Sequence, residues 1–333
     1  MRGELSREQF QILEFLIERE GTGNGGEAPP EQAGAGGGAA AGQERADGGD
    51  APRRQTAEAA GTESAAWIAA GTGLSPEAVR RTVGELAGLG FLSAEPAGPG
   101  GGTAGGPFSE GPEGGPEDHE DVPAVTAAGR DAMEPYRVRR AVFIAAGFGS
   151  RLVPITLNTP KPLVRVCGKR IIDGLLDACL GAGIREIYIL RGYLAEQFDQ
   201  LLYDYPMIRF LENPVYNEAN NVSSAMCARH LMENAYVFEA DLVLSNPGLI
   251  KPYHYASNFL AIKKDRTDDW CFEVEDGIIV EEKVGGVDCW QLVGISYWDR
   301  EDGRKLAEDI KEVYASPGGK ERYWEQVPLV FRK

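Results

Sequence analysis

Two cations and one acid stand where a phosphate chain could be held. Arg151 directly follows the glycine turn Ala145-Ala-Gly-Phe-Gly-Ser150, and Lys161 comes ten residues later between Pro160 and Pro162. Gly147 and Gly149 leave the backbone bare, so N–H groups of the turn can meet an anion while the two cations neutralise it. By themselves the glycines would serve a tight turn equally well. The string fits neither the P-loop, which needs Lys and Ser or Thr directly after its second glycine, nor the dinucleotide fingerprint, which needs a third glycine. Asp241 closes the apolar run Tyr236-Val-Phe-Glu-Ala-Asp241. An aspartate leaving the C-terminal edge of a strand is placed to hold Mg²⁺ against a triphosphate.

From Ala145 to Leu163 the chain matches, without a gap, the pattern AAGxGxRLxPxTxxxPKxL. It thereby resembles the nucleotidyltransferase family that includes sugar-1-phosphate nucleotidyltransferases and phosphocholine cytidylyltransferases. The resemblance implies a nucleotide-diphospho-sugar-transferase-like fold: α/β, Rossmann-like, with a mostly parallel sheet. It implies that Ala145, Ala146, Gly147, Gly149 and Ser150 carry the base and ribose side of the nucleotide. Arg151 would hold the β/γ-phosphates, Lys161 the reacting centre, and Asp241 the Mg²⁺. Gly192, in Gly192-Tyr-Leu-Ala-Glu-Gln-Phe198, would lie near the base, and Asn221 and Ser224 beside the nucleotide at the cap of the next helix. The family's second metal-ligating aspartate would fall after Lys333, so that 138–333 would lack the domain's C-terminal end.

Three contexts in the last third resemble the phosphocholine branch: Thr267-Asp-Asp-Trp270, Gly294-Ile-Ser-Tyr-Trp298-Asp299 and Tyr323-Trp-Glu325. A quaternary ammonium donates no hydrogen bond, so aromatic faces and a carboxylate must recognise it. Trp270, Trp298, Tyr323 and Glu325 are the expected cage, whereas Tyr297 and Trp290 read as core aromatics. The implied reaction is CTP plus phosphocholine giving CDP-choline and pyrophosphate, with a fused or neighbouring choline kinase as the implied partner. Two other readings stay open: a sugar-1-phosphate or phosphonate acceptor, and a winged-helix transcriptional regulator with a degenerate nucleotide-binding domain.

The elements that must position these residues alternate. Strands at Ala141–Ile144, Glu186–Leu190, Ile208–Glu212 and Tyr236–Asp241 are separated by helices at Ile171–Ala182, Leu194–Tyr203 and from Asn221 to about Met232. Such alternation predicts a largely parallel sheet with ligands at the strand C-terminal edge. Before them, Ser6 with Gln9 caps a helix carrying Phe10, Leu13, Leu16 and Ile17 on one face. Ala65 to Ala70 gives a short helix, and Ser75-Pro76 opens a third with Val79, Val83 and Leu86 inward and Arg80 and Arg81 outward. Phe91-Leu92 and Ala124-Val125 read as wing strands. The succession resembles a MarR-like winged helix-turn-helix over 1–137, with disordered insertions at about 21–60 and 94–123.

The chain has a net charge of −17, and 141–333 carries 22 basic against 28 acidic residues. The two insertions hold 3 basic and 13 acidic residues, which leaves the rest of the N-terminal region near neutral. Nonspecific DNA affinity needs several Lys or Arg contacts, so DNA is a minor expectation for that module. The five cysteines form no CxxC pair and lie on apolar segments, which reads as buried thiols in a reducing compartment. No apolar run approaches about 18 residues and no signal pattern opens the chain, so a cytoplasmic protein with no membrane contact is expected.

Overall fold

Parallel strands β3 (Arg140–Ile144), β6 (Glu186–Arg191), β7 (Ile208–Glu212) and β8 (Ala235–Glu239) form the centre of the main sheet in the order β7-β6-β3-β8. In this computed structural model, which describes residues 4–22, 64–96 and 122–331, two further strands extend that sheet. These are β9 (Asn258–Glu275) and β10 (Ile278–Trp298), and β10 pairs antiparallel with both β8 and β9. The result is a six-stranded mixed sheet, parallel over four strands, in keeping with the largely parallel sheet expected. The short hairpin of β4 (Arg165–Val166) and β5 (Lys169–Arg170) stands apart from it.

Strand β3 shows how the sequence pattern becomes layers. Its side chains alternate, so Ala141 and Phe143 join a core with Leu175, Leu176 and Phe198 while Val142 joins another with Val222, Leu306 and Trp324. The first of these layers contains α5 (Asp173–Gly181) and α6 (Leu201–Asp204); the second contains α7 (Val222–Ala228) and α8 (Arg300–Ala315). Helix α8 is opened by Asp299, whose carboxylate accepts from the N–H groups of Glu301 and Asp302, both at 2.8 Å. The segment expected as one helix from Leu194 to Tyr203 is instead a 3₁₀ stretch, Ala195–Gln200, followed by the single turn of α6. Leu194 at φ +48 accounts for the tight, non-α start.

The chain divides into two units, Met1–Pro135 and Tyr136–Lys333. Arg137 and Val138 go with the second because they pair in backbone with Tyr253 and Pro252. In the first unit α1 (Arg7–Thr22), α2 (64–72) and α3 (Pro76–Gly88) precede an antiparallel pair, β1 (Leu92–Pro96) and β2 (Pro123–Val125), and then α4 (Ala127–Met133). Ser6 and Gln9 exchange side-chain-to-backbone bonds at 3.1 and 3.2 Å at the start of α1, and Ser75 caps α3 by accepting from Ala78 N–H at 3.2 Å. On α3 the buried face is Val79, Thr82 and Leu86. Thr82 replaces Val83 there because its hydroxyl donates to Glu8 at 3.2 Å. Arg81 lies 2.5 Å from Glu8 and 3.8 Å from Glu85, so its charge is already matched within this unit. Most of the two glycine-rich stretches falls outside the described residues. Among the described residues, no helix is long and apolar enough to cross a membrane.

One expectation about the cysteines is corrected. Cys179, Cys271 and Cys289 are buried and Cys227 is half-buried, but Cys167 is exposed. It occupies the tip of the β4–β5 hairpin at φ +51, followed by Gly168 at φ +85, where a tight turn keeps it out of any core.

Candidate active site

The glycine turn leaves β3 and folds back on itself. Gly149, at φ +68, accepts through its carbonyl from the Thr156 hydroxyl at 3.0 Å. A Cβ at Gly149 would meet Lys161 Cβ at 3.1 Å and Thr156 Cγ2 at 3.2 Å, so glycine is required both by backbone sign and by space. Gly149→Ala is therefore expected to cost about 1–2 kcal/mol of stability, read as a lower thermal midpoint, and to lower activity further by displacing Lys161. A second contact network holds the turn from the side. Phe148 meets Tyr193 edge-on at 4.7 Å, Tyr193 N–H donates to Ala146 at 3.1 Å, and its hydroxyl donates to Leu157 at 3.0 Å.

Two cavities meet at this turn. The first, of about 270 Å³, is lined by Ala145, Gly147, Gly149, Ser150, Asn220 and Asn221. The second, of about 540 Å³, is lined by Trp270, Glu282, Gly294, Tyr323, Glu325 and Gln326. Arg151, Lys161, Glu239 and Asp241 line both. Thus one cation pair and one acid pair lie where two ligands would touch.

The charges within that shared wall are interdependent. Lys161 and Asp241 form an ion pair between half-buried side chains. Glu239 ends β8 two residues earlier, and burial raises its carboxyl above the usual range, with the negative charge of Asp241 adding to the rise. Burial and the charge of Glu239 together hold the Glu325 carboxyl well above its ordinary value, and the two carboxyls share a hydrogen bond. Gly294, at φ +77, lets Glu239 come close, since a Cβ there would stand 2.7 Å from Glu239 Cγ.

Asn221 couples the two cavities. Its amide nitrogen lies 3.4 Å from Glu239 Oε1 and its carbonyl oxygen accepts from Trp324 N–H at 2.8 Å. Asn220 donates through its backbone to Lys320 and through its side chain to Glu321, at 2.8 and 3.1 Å. Together they fasten the segment that presents Tyr323 and Glu325. Trp270 and Tyr323 then face each other edge-on with ring centroids 6.0 Å apart.

Four expected site residues lie elsewhere. Ala146 is buried, its carbonyl accepting from Tyr193 N–H, and lines neither cavity. Trp298 is buried in the core, its indole N–H donating to Ser296 at 3.0 Å and its ring against Phe259 and Trp324, so it does not line the second cavity. The alternation of β10 turns it toward the α8 side of the sheet, which corrects its place in the cage. Ser224 is buried and accepts from the Asn213 amide at 3.0 Å, leaving it inside the α7 packing. Gly192 packs against Tyr216, where a Cβ would stand 2.7 Å from Tyr216 Cβ and clash, and it lines neither cavity. Conversely, nothing in the sequence pattern marks Glu239 or Glu282. The only available signal for Glu239 is that it, too, sits at the C-terminal end of a core strand.

Glu239 and Glu325 bring two further carboxyls to the cleft that Asp241 lines. Among the described residues, no group of three or more acids, histidines or cysteines forms a closed metal cage. Mg²⁺ does not need one, since it is bound by one or two carboxylates with substrate phosphates and water. Asp241 and Glu239, hard oxygen donors that repel each other, fit that ion.

A mixed α/β sheet with a glycine turn, two cations and an acid pair at its C-terminal edge defines a nucleotidyltransferase. The Nucleotidyl transferase family model matches residues 140–272. A 2-aminoethylphosphonate cytidylyltransferase of Lancefieldella rimae is 37% identical over 191 residues, covering 56% of this chain and 78% of that protein. A choline-phosphate cytidylyltransferase of Streptococcus pneumoniae is 34% identical over 194 residues, covering 56% and 82%. The solved structure of CTP:phosphocholine cytidylyltransferase from Streptococcus pneumoniae superposes with a TM-score of 0.54 at 31% identity, over 58% of this chain and 84% of that one. The chain belongs to the nucleotidyltransferase family and is an enzyme of the cytidylyltransferase type.

Proposed function

We propose that the enzyme transfers a cytidylyl group from CTP to a small zwitterion with a phosphoryl group at one end and a cationic nitrogen at the other. Phosphocholine, the acceptor implied by the sequence resemblance, has this plan, and so does 2-aminoethylphosphonate, for which one relative is named. The observation that carries the reading is the second cavity. Its lining combines the cations Arg151 and Lys161 with an aromatic pair, Trp270 and Tyr323, and the carboxyl of Glu325. Phosphoryl oxygens suit the cations and an organic cation the aromatic faces.

In this reading the acceptor's phosphoryl oxygen attacks the α-phosphorus of CTP in line. A new P–O bond forms as the bond to the β-phosphate oxygen breaks, and pyrophosphate leaves with that electron pair. The nucleophile is already an anion, so no general base is required and catalysis is positioning plus charge neutralisation. Arg151 neutralises the leaving phosphates, Lys161 steadies the oxygens around the reacting phosphorus, and the turn from Ala145 to Ser150 carries the nucleoside side. Asp241 and Glu239 would hold Mg²⁺, which supplies further neutralisation of the triphosphate.

The test is pyrophosphate release from CTP with each candidate acceptor, with sugar-1-phosphates as the contrast. Release dependent on an amine-bearing acceptor supports the reading, and release only with a sugar-1-phosphate sinks it. Trp270→Ala should raise the acceptor KM about tenfold or more, with the KM for CTP little changed. Equal changes in both would make Trp270 a structural residue. For the N-terminal unit, we propose a winged-helix module on the order of its helices and the β1–β2 pair, in which Arg81 pairs with Glu8 and Glu85.

A further inference from the structure

The acceptor-side cavity holds two buried carboxylate oxygens that lack any hydrogen-bond partner, Glu325 Oε1 and Glu282 Oε2. Glu325 at least shares a hydrogen bond with the Glu239 carboxyl. Glu282 has no such arrangement. It stands on β10 opposite Phe272, two residues before Val284, which pairs with Trp270. Burial alone raises its carboxyl to about 7, with no cation beside it to offset the cost. Lys161, a cation of the same cavity, is already paired with Asp241. A buried acceptor left unpaired is expensive, and native proteins keep few of them without a reason.

The aromatic pair does not decide which nitrogen binds. Trp270 and Tyr323 attract any organic cation, methylated or not. The carboxylate does decide. A primary ammonium carries three N–H donors and can satisfy Glu282 Oε2, whereas a quaternary ammonium carries none and leaves the oxygen unpaired behind methyl groups. We propose that Glu282 selects the acceptor's nitrogen by accepting an N–H, so that the enzyme favours a primary aminoalkyl phosphate or phosphonate over the trimethylated equivalent. This rests on the zwitterionic acceptor proposed above and names the kind of zwitterion. A site built around an N–H bond rejects the analogue lacking it far more strongly than a hydrophobic pocket rejects extra methyls.

The full chain is assayed for pyrophosphate release with CTP, Mg²⁺ and phosphoethanolamine or its mono-, di- and trimethyl derivatives, with 2-aminoethylphosphonate in parallel. Wild-type kcat/KM should fall along the methylation series, by about tenfold or more from first to last, chiefly through KM. Glu282→Gln, which keeps the shape and removes the charge, should lower kcat/KM for the primary amine by about tenfold and compress the series to within about threefold. Glu282→Asp should recover part of the preference, and thermal midpoints check that both variants fold. A wild type that prefers the trimethyl acceptor, or a series unaltered in Glu282→Gln, overturns the inference while leaving transfer to a zwitterion intact. No release with any of these acceptors, while calorimetry shows CTP bound, overturns the acceptor class and this inference with it.

Discussion

Lys161→Ala is expected to lower turnover about a hundredfold to a thousandfold while weakening CTP binding less than tenfold. The asymmetry follows from where the lysine stands. It lines both cavities, and Arg151 shares that wall, so the nucleotide keeps a cation when Lys161 is removed. What is lost is positive charge at the junction, where negative charge shifts from acceptor oxygen to leaving phosphate. Charge stabilisation placed at the reacting centre acts on the transition state more than on the bound substrate. Pro160 before Lys161 and Pro162 after it restrict the backbone on both sides, so the ammonium is held in advance at low entropic cost. Steady-state pyrophosphate release and calorimetric CTP affinity on the same preparation read the two quantities. Equal losses would mean that Lys161 anchors the nucleotide and does not serve the chemical step.

The parts of this site that could be read from the chain are those carried by local signals. A β-branched run before small residues announces β3 and its turn, and the gapless match from Ala145 to Leu163 announces Arg151 and Lys161 with it. Asp241 is legible because it ends an apolar run. Glu239, in the same run, is hidden by its position inside what looks like strand. Glu282 is more thoroughly hidden: in Val280-Glu-Glu-Lys283 it reads as a solvated charge, and only the long pairing of β9 with β10, with its irregular register, turns it into the cavity. Trp298 fails in the opposite direction. Its context resembles a ligand site, but side-chain alternation on β10 decides which face it takes, and the pairing of Trp298 with Ala235 commits it to the core. Antiparallel extension of a parallel sheet depends on long-range pairing, which short sequence windows do not contain.

Asp241→Asn should lower kcat/KM about a hundredfold or more in the presence of Mg²⁺, and the sign of its other effects separates a metal role from a structural one. In the wild type Asp241 has three electrostatic obligations: it pairs with Lys161, it pushes the Glu239 carboxyl upward, and it would carry a share of the Mg²⁺ charge. The asparagine keeps the size and loses the charge. Lys161 is then free of its counter-ion, and Glu239 loses a neighbouring negative charge, so its carboxyl ionises at lower pH than before. Losing the Asp241 charge makes the cleft more positive, and fuller ionisation of Glu239 offsets only part of that gain. Without Mg²⁺, CTP should therefore bind to the variant at least as tightly as to the wild type. With Mg²⁺, the concentration needed for half-maximal rate should move upward, because one carboxylate ligand is gone. A titration of rate against Mg²⁺, alongside CTP binding in chelator, gives both readings. Loss of Mg²⁺-free CTP binding would show that Asp241 shapes the nucleotide cavity, and an unmoved Mg²⁺ dependence would remove it from the metal site.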